Sequence, residues 1–524
     1  MKLNSLLFLS IVILFVSCQS KNPESRSTKN DKQKPNILLI SSDDLGWSDI
    51  GCYGSEVQTP NLDKLGEGGM RFTCFHNTSK CFPSRACLMT GVYAQQSNYH
   101  RTHRNPITNA VTIGEVLQSA GYRTMWSGKH HGLENPYTRG FDKYYGLKDG
   151  ACNYFNPGEQ RPGEGVPARK GQPGNKTKRA WCIDSIMYQP YTPAAKDFYT
   201  TDYFTNYAVG WLEEYKDEEK PFFLYLAYTA PHDPLMAWPE DIARYEGRYD
   251  EGYEKIRKAR YEKQLKMGLI DETYKLSEPT YSNWNELEDS VRKEEIRKME
   301  VYAAMIDRMD QNIGRVLSKL NEIGKDKNTL IMFVSDNGAS SEMVRIKDDY
   351  GEIGTMTLWS SLGGNWANVG NTPFRYYKNY SYEGGINTPF IAFWPGKIKA
   401  NSFSEFPGHF IDMMATLVDI TGAEYPQEYN NQQITPMQGQ SLLSVFKGEK
   451  VNREKAIFWE WRRGQAVYNE GFKIVKNGLD RPFDLYDLKN DPTETRNLAD
   501  KNPEKVKELE QLFTNWKASL PEFQ

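Results

Sequence analysis

Four short apolar runs, each ending abruptly in polar or charged residues, constrain the fold of this chain more than any other feature. Asn36-Ile37-Leu38-Leu39-Ile40 leads into Ser41-Ser42-Asp43-Asp44-Leu45-Gly46, and Tyr122-Arg123-Thr124-Met125-Trp126 into Ser127-Gly128-Lys129-His130-His131. Phe222-Phe223-Leu224-Tyr225-Leu226-Ala227 ends in Thr229-Ala230-Pro231-His232, and Leu330-Ile331-Met332-Phe333-Val334 in Ser335-Asp336-Asn337-Gly338. Short continuous apolar runs read as strands buried on both faces. Helical segments separate them: one starts at Thr59-Pro60, another covers 112–120, and the clearest covers 298–320. In the last, Tyr302, Met305, Ile306, Met309, Ile313, Val316 and Leu317 recur at helical spacing, which is core packing rather than a cofactor contact. Alternating strands and helices predict an α/β fold with a largely parallel sheet. The carboxyl ends of its strands share one edge, where ligands bind. At 524 residues the chain exceeds one ordinary core, so a smaller domain accompanies the large one.

Between the first two runs stands Lys80-Cys81-Phe82-Pro83-Ser84-Arg85-Ala86-Cys87-Leu88-Met89-Thr90-Gly91. Pro83 suits a first helical turn because it needs no amide partner there, and Gly91 suits the helix end. Cys81 then sits at the positive end of the helix, and Arg85, one turn on, adds a fixed cation on the same side. The run C-x-P-S-R-x-x-L-x-T-G resembles the signature of the type I, formylglycine-dependent sulfatases of the alkaline phosphatase superfamily. Their leading Cys is oxidised to formylglycine (3-oxoalanine) after translation by a formylglycine-generating maturation enzyme.

The resemblance extends from Pro35 to about Leu498, through Arg139-Gly140-Phe141-Asp142, Phe393-Trp394-Pro395-Gly396, Leu485-Tyr486-Asp487-Leu488 and the block from Asp491-Pro492 to Asn497-Leu498-Ala499. It implies an alkaline-phosphatase-like sandwich: a large mixed sheet flanked by helices, plus a smaller C-terminal subdomain with a short antiparallel sheet. The catalytic domain is expected over 35–445 and the subdomain over 446–524. Asp43, Asp44, Asp336 and Asn337 are hard oxygen donors suited to Ca²⁺ or Mg²⁺ rather than Zn²⁺. Both pairs match the positions at which the family binds its divalent cation, with Ca²⁺ the family expectation.

By the same resemblance, Gly128-Lys129-His130-His131 supplies a sulfate-binding Lys129 and a His131 that contacts the formylglycine. His130 stands where Trp is common. Ala230-Pro231-His232 gives a sulfate contact and leaving-group acid. Asn371-Thr372-Pro373-Phe374-Arg375-Tyr376-Tyr377-Lys378 precedes Glu383-Gly384-Gly385 and gives a sulfate-binding Lys378. Tyr376-Tyr377 replaces the Gly-Gly common before that lysine. Cys81, Arg85, Lys129, His131, His232 and Lys378 are therefore the expected catalytic set. The activity implied is hydrolysis of sulfate monoesters, with sulfated carbohydrate the expected substrate. A phosphonate or phosphate monoester hydrolase of the same superfamily is the neighbouring alternative. A non-catalytic glycan-binding surface protein is the alternative of another class.

The remaining features bear on location and specificity. Lys2, the apolar run from Leu6 to Val16 and Ser17-Cys18 read as a signal peptide over 1–18 with a lipoprotein-type cleavage site, followed by a polar linker over 19–34. Phe15 departs from the Leu usual three residues before the Cys. An exported periplasmic or cell-envelope lipoprotein, lipidated at Cys18, is expected, with plain secretion second. Membrane contact is then confined to the lipid. A formal net charge of −3 argues against a general nucleic-acid partner. Setting aside Cys18 and Cys81, five cysteines remain, an odd number, and Cys152 and Cys182 flank a Gly/Pro/Lys-rich loop that a disulfide could close. The charged stretch 242–276 reads as an exposed helical excursion. Tyr99-His100-Arg101-Thr102-His103-Arg104 follows the nucleophile helix, where Arg101 and Arg104 are candidate grips for a second sulfate or a sugar carboxylate.

Overall fold

The computed structural model describes residues 34–100, 104–169 and 179–522. The signal segment with Cys18, almost all of the linker, and Arg101 lie outside the described residues. From Pro35 the chain forms one compact unit, in which the four apolar runs become β1 (Asn36–Asp43), β2 (Arg123–Gly128), β3 (Phe222–Pro231) and β4 (Thr329–Ser335). They lie side by side and parallel in the order β4-β1-β3-β2. They form the centre of a ten-stranded mixed sheet. Phe390–Phe393, Met70–Phe72 and Ser402–Ser404 extend it beyond β4; Lys143–Leu147, Trp181–Ile183 and Ile186–Tyr188 extend it beyond β2.

The strand residues are apolar on both sides because both faces are covered. Leu38 and Ile40 of β1 join one hydrophobic cluster, while Ile37 and Leu39 join the other. Gly252–Lys266 (α2) and Asp289–Glu322 (α3) cover the first face. On the second lies the helix Cys81–Thr90 (α1). This is the expected sandwich with its flanking helices.

Two expectations require correction. Cys152 and Cys182 are free and buried rather than bridged. Cys152 packs into the cluster on one face of the sheet, and Cys182, on the strand Trp181–Ile183, packs into the cluster on the other. The sheet itself separates the two thiols. The charged excursion is not merely a solvated face either. Arg257, Arg260 and Gln264 of α2 are buried, and Arg260 reaches Asp49 at 2.6 Å and Glu56 at 2.8 Å.

Near the C-terminus, Ile457–Trp461 (β5), Gly464–Asn469 (β6), Phe472–Asn477 (β7) and Asp484–Asp487 (β8) form an antiparallel sheet in sequence order. The expected boundary at 445/446 falls within the short helix Leu443–Phe446. One face of this sheet meets Tyr382 and Ile386; on the other, Trp516 of the helix Pro503–Ala518 (α4) stacks on Phe458 at 5.1 Å.

A buried charge cluster pins the sheet to the core. Lys473 of β7 lies 2.6 Å from Glu383 and 2.7 Å from Glu494, and His76 lies 3.0 Å from Glu383. Burial raises the carboxyl of Glu383, but Lys473 and His76 outweigh it and hold the group at about 2. Burial pushes Glu494 up to about 7 against the pull of Lys473. Removing one member of a buried ion cluster strands the others, so Lys473→Met is expected to destabilise the protein by about 3–5 kcal/mol. A urea unfolding midpoint equal to that of the parent would contradict this role for Lys473.

Candidate active site

Backbone register gathers the site. Ser42 pairs with Ser335, so Asp43 and Asp336 leave adjacent strands together, and an irregularity after Ser41 sets Asp43 opposite Pro231, the residue before His232. The Lys129 amide donates to the Ala227 carbonyl at 2.7 Å, carrying that lysine past the end of β2 on the same edge. Asp44, at φ 64°, turns back so that its amide donates to Asp336 Oδ1 at 3.3 Å. Thus Asp43, Asp44, Lys129, His232, Asp336 and Asn337 meet where four strands end, as the alternating pattern predicts.

Helix α1 points its first turn at the same place. It starts at Cys81 and closes on Gly91, whose φ of 70° lets its amide donate to the Cys87 carbonyl at 2.9 Å. All ten of its residues are buried. Pro83 lies in the first turn, as expected, and the Ser84 hydroxyl accepts the Thr78 amide at 2.9 Å, tying the entering loop to the helix. Burial pushes the Cys81 thiol up, against the opposing pull of Lys129, Lys378 and Lys80. As a plain cysteine this side chain is therefore a poor nucleophile near neutral pH.

Each carboxylate has a cation from another element. Lys129 Nζ contacts Asp43. Lys378 Nζ lies 2.7 Å from the Asp44 carboxylate, and Arg85 Nε donates to Asp336 Oδ2 at 2.7 Å. Burial alone would lower both lysines, but Asp43 raises Lys129 and Asp44 raises Lys378, so both remain charged. Burial pushes Asp43 up to about 6, with Asp336 adding to it and Lys129 opposing. For Asp44, His232 and Lys378 overcome burial and lower the group.

His232 lies with Nε2 3.4 Å from Asp44 and Nδ1 2.8 Å from Asp233 Oδ1. Burial would favour the neutral ring; Asp44, Asp43 and Asp233 reverse this and raise it. Asp233 is in turn fixed by donors from Trp359 Nε1 at 3.0 Å and Ser361 Oγ at 2.6 Å.

Burial pushes His131 well down, helped by Lys129, Arg104, Arg85 and Lys80, charges that surround the start of α1. Burial takes His130 down to about 3, with Lys148, Arg85 and Arg139 contributing. Its ring meets Trp126 edge-on at 4.9 Å. Both histidines line a cavity along α1 together with Arg85. Arg85 Nη2 and His131 Nδ1 are buried there with no hydrogen-bond partner among the described residues. Arg104 stacks on Phe82, the residue after Cys81, at 4.5 Å and donates to the Tyr99 hydroxyl at 3.3 Å.

Three site residues escape the sequence reading. Asp233 was signalled only by following His232. Lys80 precedes Cys81 and lies 2.6 Å from Glu342, which is also 3.0 Å from Lys378. Nothing in the run Ser340-Ser341-Glu342 announces that contact.

The donor set leaves atoms unsatisfied in the way a cation site does. Asp43, Asp44 and His232 offer ligand atoms within 4.8 Å of one another. Asp43 Oδ1 and Asn337 Oδ1 are buried oxygens without a partner among the described residues. Buried oxygens left unpaired beside two further carboxylates fit a hard divalent cation.

A family model described as Sulfatase matches residues 35–423, and one described as N-sulphoglucosamine sulphohydrolase, C-terminal matches 373–519. An uncharacterized sulfatase of Schizosaccharomyces pombe is 30% identical over 93% of this chain and 94% of its own. An arylsulfatase of Klebsiella aerogenes is 31% identical over 81% of this chain and 95% of its own. Among solved structures, Ps i-CgsB in complex with k-i-k-neocarrahexaose superposes with a TM-score of 0.69. It is 25% identical and covers 93% of this chain and 94% of its own.

Proposed function

The chain belongs to the sulfatase family, and from that premise we propose that it hydrolyses sulfate monoesters of carbohydrates, using a formylglycine made from Cys81 and a bound divalent cation. The observation that carries this is the meeting of Cys81, at a helix start, with three buried carboxylates and their cations at the end of four strands. An oligosaccharide bound by a structurally similar protein supports the carbohydrate class.

Asp43, Asp44, Asp336 and Asn337 would hold Ca²⁺ or Mg²⁺, which supplies Lewis-acid polarisation and charge neutralisation when bound. Formylglycine at position 81 would supply a hydrated aldehyde, a geminal diol, as the nucleophile toward sulfur.

The residues of the chain do the rest. Lys129 and Lys378 remain charged and face the ester oxygens, where negative charge must be neutralised as the nucleophile approaches. Arg85 Nη2, buried without a partner among the described residues, and His131 would hold the side chain of residue 81. His232 donates from Nδ1 to Asp233, and the charges of Asp44, Asp43 and Asp233 favour the imidazolium, whose second proton, on Nε2, goes to the departing alcohol oxygen. A leader ending at Cys18 fits export to the periplasm or cell envelope. Among the described residues no helix is long and apolar enough to cross a membrane.

Sulfate release from sulfated oligosaccharides, together with aldehyde detected at position 81 by mass spectrometry, tests the proposal. Cys81→Ala is expected to fold with unchanged circular dichroism and to release no sulfate; full activity in that variant would refute the assignment. Calcium chloride is expected to raise the Tm of the parent, by linkage to the folded state, and Asp43→Ala to abolish that rise. An equal rise in both proteins would remove Asp43 from the cation site. Arg104→Ala is expected to raise KM for a polyanionic saccharide about tenfold, the worth of one charge-assisted contact, and far less for an aryl sulfate. Equal changes on the two substrates would make Arg104 a structural residue.

A further inference from the structure

Among the described residues, Glu342 is the one acidic side chain of this site that faces lysines without belonging to the carboxylates expected to hold the cation. Its Oε1 lies 2.6 Å from Lys80 Nζ and accepts from Asn379 Nδ2 at 3.3 Å, while its Oε2 lies 3.0 Å from Lys378 Nζ. It also lines a crevice shared with Asp44, His232 and Asp233. Lys80 adjoins Cys81 in the chain, and Lys378 is the lysine assigned to the ester oxygens. Glu342 therefore places a negative charge beside the two cations that approach the ester from the side of α1. Burial would raise its carboxyl, but Lys378 and Lys80 overcome that and hold it ionised.

The chemical consequence depends on substrate charge. A sulfate monoester and a phosphonate monoester each carry one negative charge. A phosphate monoester carries close to two above its second pKa of about 6. A fixed carboxylate near the ester oxygens repels a dianion more than a monoanion, and in a mostly buried site that difference is weakly screened. We infer that Glu342 sets the charge selectivity of this site, favouring monoanionic esters over phosphate monoesters. The inference rests on the sulfatase reading above and adds to it the residue that enforces the choice.

The isosteric Glu342→Gln keeps the shape and an acceptor oxygen for one of the two lysines, and removes the charge. Three aryl esters with the same leaving group separate charge from chemistry: para-nitrophenyl sulfate, para-nitrophenyl phenylphosphonate and para-nitrophenyl phosphate, assayed above the second phosphate pKa. In Glu342→Gln the ratio of kcat/KM for phosphate to that for sulfate is expected to rise about tenfold or more, the scale of one weakly screened charge contact. The phosphonate to sulfate ratio is expected to change far less. Glu342→Asp, which keeps the charge, is expected to retain the parent ratios. Ratios taken on one preparation are independent of the fraction folded. Where phosphate turnover falls below detection, the same ratios are read from competitive inhibition of aryl sulfate turnover by the other two esters.

A phosphate to sulfate ratio unmoved in Glu342→Gln, or a phosphonate ratio rising in parallel with it, would overturn the inference. Failure of the matured parent to release sulfate from either aryl sulfate or sulfated oligosaccharides would instead overturn the functional reading on which it rests.

Discussion

Concentrating carboxylates in a buried space is the physical constraint on which this structure depends. Asp43, Asp44 and Asp336 are almost completely buried within a few ångströms of one another, and unpaired they would repel one another and lose hydration worth several kcal/mol each. The chain answers with a lysine or arginine for each, and each comes from a different segment. Lys129 follows β2, Lys378 follows the turn at Tyr376-Tyr377, and Arg85 projects from α1. A segment that failed to dock would leave an acid uncompensated, so the charge pairs tie the assembly of the site to the completion of the fold. The same pairing keeps the lysines protonated despite burial, which is what an anionic ester requires of them.

The small C-terminal sheet takes part in this arrangement. Trp459 of β5 donates to the Asn77 carbonyl at 2.7 Å, in the loop that enters α1. Trp461 donates to Asn379 Oδ1 at 2.9 Å, beside Lys378. With Lys473 joined to Glu383 and Glu494, the sheet braces two of the loops that deliver site residues, although it contributes none of the expected catalytic set. Its role is positional: it fixes backbone whose small displacements would misplace Cys81 and Lys378.

What could be read beforehand follows from how local each signal is. The strands were legible because two-sided burial demands an uninterrupted apolar run. The helix start was legible because Pro83 and Gly91 act within a turn of their own positions. Asp43, Asp44 and Asp336 were legible because strand polarity alone carries them to one edge. Glu342 was not, because its role comes from two lysines more than thirty residues away in either direction, and the backbone around it is irregular. The buried Arg260 was hidden for a related reason. Its helix has charged residues on every side, and only the approach of Asp49 and Glu56 distinguishes the inward face. The disulfide across Cys152 and Cys182 failed because sequence separation says nothing about which face of a sheet a thiol occupies.

The departures from the family pattern are absorbed by local packing. Tyr376 stands where Gly is common and adopts a φ of 62°, the left-handed region that Gly enters freely and a bulky residue enters at a cost of about 1–3 kcal/mol. Its ring stacks on Tyr380 at 4.5 Å, nearly parallel, and Arg375 lies over both Tyr376 and Tyr382. Those contacts are of the size needed to offset the strain. The glycine-like turn is thereby kept without the glycine, and Lys378 still reaches Asp44. Asp44, Ser79 and His131 also sit in the left-handed region, at φ of 64°, 62° and 61°. Each lies at a point where the chain must turn sharply to aim a side chain or enter α1. Several left-handed residues of this protein thus lie beside the groups that would meet the ester, held there by the charge pairs and aromatic stacks that surround them.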